Sequence, residues 1–177
     1  EIDRTAKLYI AGKQARPDGG MSLRVLDARG RLLGQVGEGN RKDIRNAVEA
    51  AAKADAWTRM SGHARAQVLY YIAENLSARA GEFAKRLQAS TGATGANARR
   101  EVEAAIRRLF TYAAHADKYD GAAHSVPIRG LALALPEPLG VVGIVAPDEA
   151  PLLALISLAA PLLALGNRVV ILPSEAH

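Results

Sequence analysis

Apolar and polar positions change rhythm three times along this chain. Short alternations open it, helical periodicities fill its middle, and two unbroken apolar runs flank a long hydrophobic stretch near its end. Residues 8–12 and 23–27 read as strands, closed by the turn formers Pro17-Asp-Gly-Gly20 and Ala28-Arg-Gly30, and residues 32–36 read as a third. Gly34, Gly37 and Gly39 follow in the reverse order of a dinucleotide fingerprint, with no lysine after them, so they predict a plain strand-to-helix turn.

Asn40 is placed to cap the first helix, with Asp43 three residues on, where its charge suits the helix dipole. Ile44, Ala47, Val48, Ala51 and Ala52 then recur at helical spacing, and Trp57 follows as an anchor just past the helix. Ser61 predicts the start of a second helix carrying Val68, Leu69, Ile72 and Leu76. A shorter one lies around Phe83 and Leu87 and ends before Thr91-Gly92. The fourth runs over residues 97–118 and buries Val102, Ala105, Ile106, Leu109, Phe110 and Ala113, with arginines on its other side.

After a loop over residues 120–130, residues 131–135 form a strand that Pro136 and Pro138 break. Residues 141–145 are wholly apolar, as in a strand inside a parallel sheet. Asp148 is placed to cap the helix that follows, and Pro151 is tolerated in its first turn. That helix spans the sixteen-residue apolar run 150–165 and stops at Gly166-Asn167. Residues 169–172 supply a second buried strand. The pattern is α/β, ending in a strand, a helix and a parallel strand.

Composition removes several chemistries. With no cysteine among 177 residues, the chain has no disulfide, no cysteine metal site and no thiol nucleophile. Its four histidines are scattered, so no metal site is expected, and no Ser/His/acid trio marks a nucleophilic one. The excess of 23 basic over 18 acidic residues is dispersed along helix faces, which argues against a nucleic-acid partner. The apolar run is shorter than the roughly 20 residues a membrane span needs, and Pro151 and Pro161 interrupt it; no membrane partner is expected. The chain opens on Glu1 with no secretory signal, which reads as an internal piece of a longer, cytoplasmic protein.

Together several marks carry a resemblance. They are the opening hairpin at residues 8–12, Asn40 leading toward Trp57, Arg65, Thr91-Gly92, and Glu101, Val102 and Glu103 in the long helix. Pro138-Leu-Gly-Val-Val-Gly143, Gly166-Asn-Arg-Val-Val170 and Pro173-Ser-Glu175 follow. In this order they resemble the N-terminal third of the aldehyde dehydrogenase superfamily. The resemblance implies an incomplete copy of that fold. Residues 1–125 would hold N-terminal strands and helices, 126–139 an oligomerisation strand, and 140–177 the first β-α-β of a Rossmann-like cofactor domain.

In that family the segment after Pro147 usually reads Trp-Asn-Phe-Pro, and the asparagine amide stabilises the oxyanion formed when a cysteine attacks the aldehyde. Glu149 stands at the asparagine position. A lysine and a glutamate usually hold the ribose of NAD(P) at the end of the second strand; here Leu172 replaces the lysine, while Pro173, Ser174 and Glu175 remain. The resemblance therefore implies no catalytic residue in this chain, vestigial cofactor positions at Pro147, Ser174 and Glu175, and no cofactor of its own, although the parent family uses NAD. The Pro147-Asp-Glu-Ala-Pro151 variant is most similar to the degenerate second half of two-part family-16 aldehyde dehydrogenases. An active NAD(P)-dependent enzyme with an unusual loop is the alternative. Either way, two parallel strands with bare edges need partners: the remainder of the polypeptide, or another copy in a homo-oligomer.

Overall fold

A computed structural model describes residues 5–174. Two antiparallel pairs open the fold. β1 (Leu8–Ile10) pairs with β2 (Lys13–Ala15), and β3 (Ser22–Leu26) pairs with β4 (Leu32–Gly37). The stretch 8–12 is thus one strand and its turn, with Ala11 at φ 55° and Gly12 at φ 75°. Consecutive left-handed residues match the twist of a tight hairpin. Ala11 extends the apolar run without a turn signal, so alternation overreaches there.

The helix α1 (Arg41–Ala52) starts as its sequence dictates. The Asn40 side chain accepts from the Lys42 and Asp43 amides, and the Asp43 carboxylate accepts from the Asn40 amide at 3.0 Å. Asp43 is buried because its carboxylate also accepts the Asp18 amide, which ties the 17–20 turn to the helix. Trp57 lies just past α1, inside a short helix, α2 (Asp55–Arg59), that the sequence pattern did not announce. α3 (Gly62–Ala78) begins at the predicted Ser61 cap, whose hydroxyl accepts the Ala64 amide at 3.1 Å. α4 (Ala80–Thr91) ends at Gly92, whose φ of 72° is one that a side chain would resist. α5 (Gly95–His115) begins two residues before the predicted start, capped by Thr94.

Further along, β5 (Ala122–His124) pairs antiparallel with β6 (Ala132–Ala134). Every residue of β5 is exposed, so the stretch read as loop gives no periodic sign of its strand. β7 (Val141–Val145), α6 (Pro151–Ala164) and β8 (Arg168–Leu172) complete the described chain. β7 and β8 are parallel, with register running from Val141 opposite Arg168 to Val145 opposite Leu172. This is the β-α-β arrangement that the two apolar runs predict.

Core formation is helical. α5 lies against α3, α4 and α6, and all three buried clusters are built from these helices and their flanks. Ala73, Ala105 and Ala160 meet in one cluster with Leu76 and Leu109, and such small side chains let helix backbones approach closely. Leu69 and Val102 are the largest side chains buried outright. The sheet is different. Ile144 and Val170 are buried, but Val145 is 75% exposed, because with two strands the ladder covers little of its own surface.

Candidate functional site

In open parallel α/β sheets, ligands sit at the carboxyl ends of the strands. Here that edge is formed by Ala146 and Pro147 after β7, by Pro173 and Ser174 after β8, and by the first turn of α6. The Ala146 amide donates to the Leu172 carbonyl at 2.9 Å, carrying the ladder one step beyond the strands. A cleft of about 260 Å³ lies beside this edge, between it and α4. Its lining is mostly apolar, with Phe83 and Leu87 on one wall and Pro151, Leu152 and Pro173 on the other.

Residues 147–150 form an exposed loop. Asp148 does not cap α6, contrary to the sequence expectation. The N-cap position belongs to Ala150, in the left-handed region at φ 47° and ψ 58°, and this adds two residues between Asp148 and the helix start. Asp148 instead accepts a hydrogen bond from the Ser174 hydroxyl at 2.5 Å, clipping the two strand exits together. The α6 amides of Leu152 and Leu153 donate to Glu101 of α5, at 3.0 and 3.2 Å. Glu149 stands exposed on the loop.

At the other end of α6, polar groups are more densely paired. Arg65 donates through Nε to the Ala164 carbonyl at 3.0 Å, and through Nη1 to the Met60 carbonyl. Burial pulls its guanidinium below the usual arginine range. Thr58 donates to the Gly166 carbonyl at 3.0 Å. The Asn167 side chain donates to the Leu162 carbonyl and accepts the Gly140 amide, so it holds the end of α6 against the entry to β7. Gly166, at φ 81°, has a backbone that a side chain would strain, and a Cβ there would press on Arg65 and Pro138 at 3.2 Å.

The structure places Pro147, Glu149, Leu172 and Ser174 at one edge, with Val145 and Leu172 paired across the strands. Glu175 lies outside the described residues. The Leu172 side chain carries no hydrogen-bonding group, and the Ser174 hydroxyl donates to Asp148. Among the described residues no three His, Cys, Asp or Glu side chains could hold a metal ion, and no helix is long and apolar enough to cross a membrane. Sequence reasoning missed the part played by Glu101. Its partners lie about fifty residues downstream, and nothing local distinguishes it from the neighbouring surface charge Glu103.

The model of the aldehyde dehydrogenase family matches residues 20–177. Aldehyde dehydrogenase 1 of Tanacetum cinerariifolium is 35% identical over 174 residues, covering 96% of this chain and 35% of the relative. Hydroxyisobutyraldehyde dehydrogenase of Mycolicibacterium austroafricanum is 34% identical over 170 residues, covering 95% and 34%. The crystal structure of an NAD-dependent aldehyde dehydrogenase from Sinorhizobium meliloti superposes with a TM-score of 0.92 at 29% identity, over 99% of this chain and 36% of that one. The chain spans about a third of the length of the curated relatives it matches.

Proposed function

Since the chain belongs to the aldehyde dehydrogenase family, we propose that it is part of a non-catalytic copy of the dehydrogenase unit, with a structural and oligomerising role in a longer, aldehyde-oxidising protein. Glu149 carries this reading. An oxyanion needs a donor aimed at it, and removing one such donor costs a site of this kind roughly 100- to 1,000-fold in rate. An ionised carboxylate at that position donates nothing and repels the developing charge. Leu172 supports the same reading, since a ribose hydroxyl gains no partner from it. The Asp148–Ser174 contact adds to this by tying up polar groups at the strand exits.

The finer assignment, to the degenerate second half of a two-part family-16 protein, rests on the Pro147-Asp-Glu-Ala-Pro151 sequence. Its partners would be the remaining polypeptide and a second copy. The exposed leucines around β6 support that: Leu131, Leu133 and Leu135 all face solvent and would leave a contiguous apolar strip uncovered.

Calorimetric titration of NAD into the full-length protein tests the proposal. One silent copy beside one active unit takes up a single NAD per polypeptide, and titration into the 177-residue chain gives no heat. Two sites per polypeptide, or micromolar binding to the 177-residue chain, would overturn it. A second reading, an active NAD(P)-dependent aldehyde dehydrogenase, is favoured by the names of the relatives, which are dehydrogenases. It requires that activity be lost when a cysteine of the same unit, beyond residue 177, is replaced.

A further inference from the structure

Helix α6 starts without a capping side chain of its own. The Ala150 side chain cannot accept from the first turn, although its carbonyl accepts the Ala154 amide, and its left-handed backbone is one that a non-glycine residue adopts only when its surroundings hold it there. Pro151, at the first helical position, has no amide hydrogen to satisfy. The next two donors, on Leu152 and Leu153, both meet the same oxygen, Oε1 of Glu101 on α5. Glu101 is half-buried, and the two leucines it meets pack against the α3–α5–α6 core cluster.

We infer that Glu101 is the positioning residue of this edge: it caps α6 from a neighbouring helix and so fixes the loop 147–150 on which Asp148 and Glu149 stand. The first amides of a helix are unpaired and carry its positive end, and a carboxylate answers both needs at once. The bonds it accepts are charge-assisted, hence stronger than those a neutral cap makes. The same contact fills the place where a helix N-terminus otherwise receives a phosphate or carboxylate from solution. With Arg65 donating to the Ala164 carbonyl at the far end, α6 lies with its dipole between an acid and a base, both borrowed from the helices beneath it. This inference goes beyond the proposed function, because it holds whether the unit is silent or active.

Amide hydrogen exchange on the full 177-residue chain tests it, with Glu101→Gln and Glu101→Ala as variants. In Glu101→Ala the Leu152 and Leu153 amides exchange roughly 10- to 100-fold faster, the scale of losing hydrogen bonds to a charged group, while the α3 and α5 core amides change little. Glu101→Gln keeps an acceptor without the charge, so it falls between the two. Sodium formate, but not sodium chloride at equal ionic strength, slows the two amides again in Glu101→Ala and has no effect on the unsubstituted chain. Uniform acceleration along α6 with no response to formate means that Glu101 merely fills space, and overturns the inference. Should Glu101→Ala fail to fold, unchanged exchange at Leu152 and Leu153 in Glu101→Gln overturns it equally.

Discussion

The helices of this chain close on one another; its strands leave much of their apolar surface open. Around α5 the side chains of α3, α4 and α6 form three contiguous buried clusters, and Leu69, Ala73, Ala98, Ala105 and Ala113 are fully enclosed. Along β5–β6 and β7–β8 the reverse holds. Leu133, Leu135 and Val145 are all more than 60% exposed, and each sheet has two strands. Apolar burial stabilises the first region from within, at about 25 cal/mol for each Å² removed from water. The second region gains less of that term within this chain. The difference separates a helical core that closes on itself from strand edges that, under the proposed function, the remaining polypeptide would cover.

The largest expected effect comes from breaking the foundation. Leu69→Ala leaves a cavity among α3, α5 and α6 and lowers unfolding free energy by about 3 kcal/mol, read as a shift in the urea midpoint. A loss under about 1 kcal/mol would mean that the site collapses freely and that the helical core is looser than described.

Acidification produces a smaller change. The Arg79 and Arg86 hydrogen bonds hold Glu82 below the usual carboxylate range, and the Arg31 and Arg29 backbone and Arg31 side-chain bonds do the same for Asp27. Lys42, by a direct hydrogen bond, likewise lowers Asp18. A carboxyl with a depressed folded pKa favours the folded state above its unfolded value, and that contribution disappears as pH falls through the folded value. The unfolded values are near 3.8 for aspartate and 4.5 for glutamate, so stability holds at neutral pH and declines below about pH 4.5. Asp27→Asn flattens part of that decline in thermal melts taken across the acid range.

Least of all for folding, the double substitution Leu133→Lys and Leu135→Lys alters stability by no more than about 0.5 kcal/mol. Both side chains are exposed in the chain by itself. Under the proposed oligomerising role, the same substitution reduces the sedimentation coefficient to that of a monomer. An unchanged oligomer would leave the hairpin without that role.

How far the sequence spoke for itself follows the same division. Local chemistry is legible: the Asn40–Asp43 capping box, the Ser61 cap and the α5 stripe of Val102, Ala105, Leu109 and Ala113 all lie where spacing predicts. The β7–α6–β8 unit is equally plain, because two parallel strands joined by a helix leave unbroken apolar runs. What failed was set from a distance. Asp148 looks like a cap by position, yet α6 starts two residues later and takes its cap from Glu101. β5 consists of two alanines and a histidine and becomes a strand only when β6 pairs with it. Trp57 gives no sign of α2, a helix of five residues. At the candidate site, Glu149 and Leu172 were singled out from the sequence by resemblance, whereas the bond between Asp148 and Ser174 depends on the parallel register and was not legible.

The most direct test of the account is Glu149→Ala in the full-length protein, assayed for NAD reduction with an aldehyde. If these residues are scaffold, the rate stays within about twofold, since Glu149 then meets no reacting atom. A change of tenfold or more, about 1.4 kcal/mol in the barrier, would place the exposed loop at an operating active site and contradict the account.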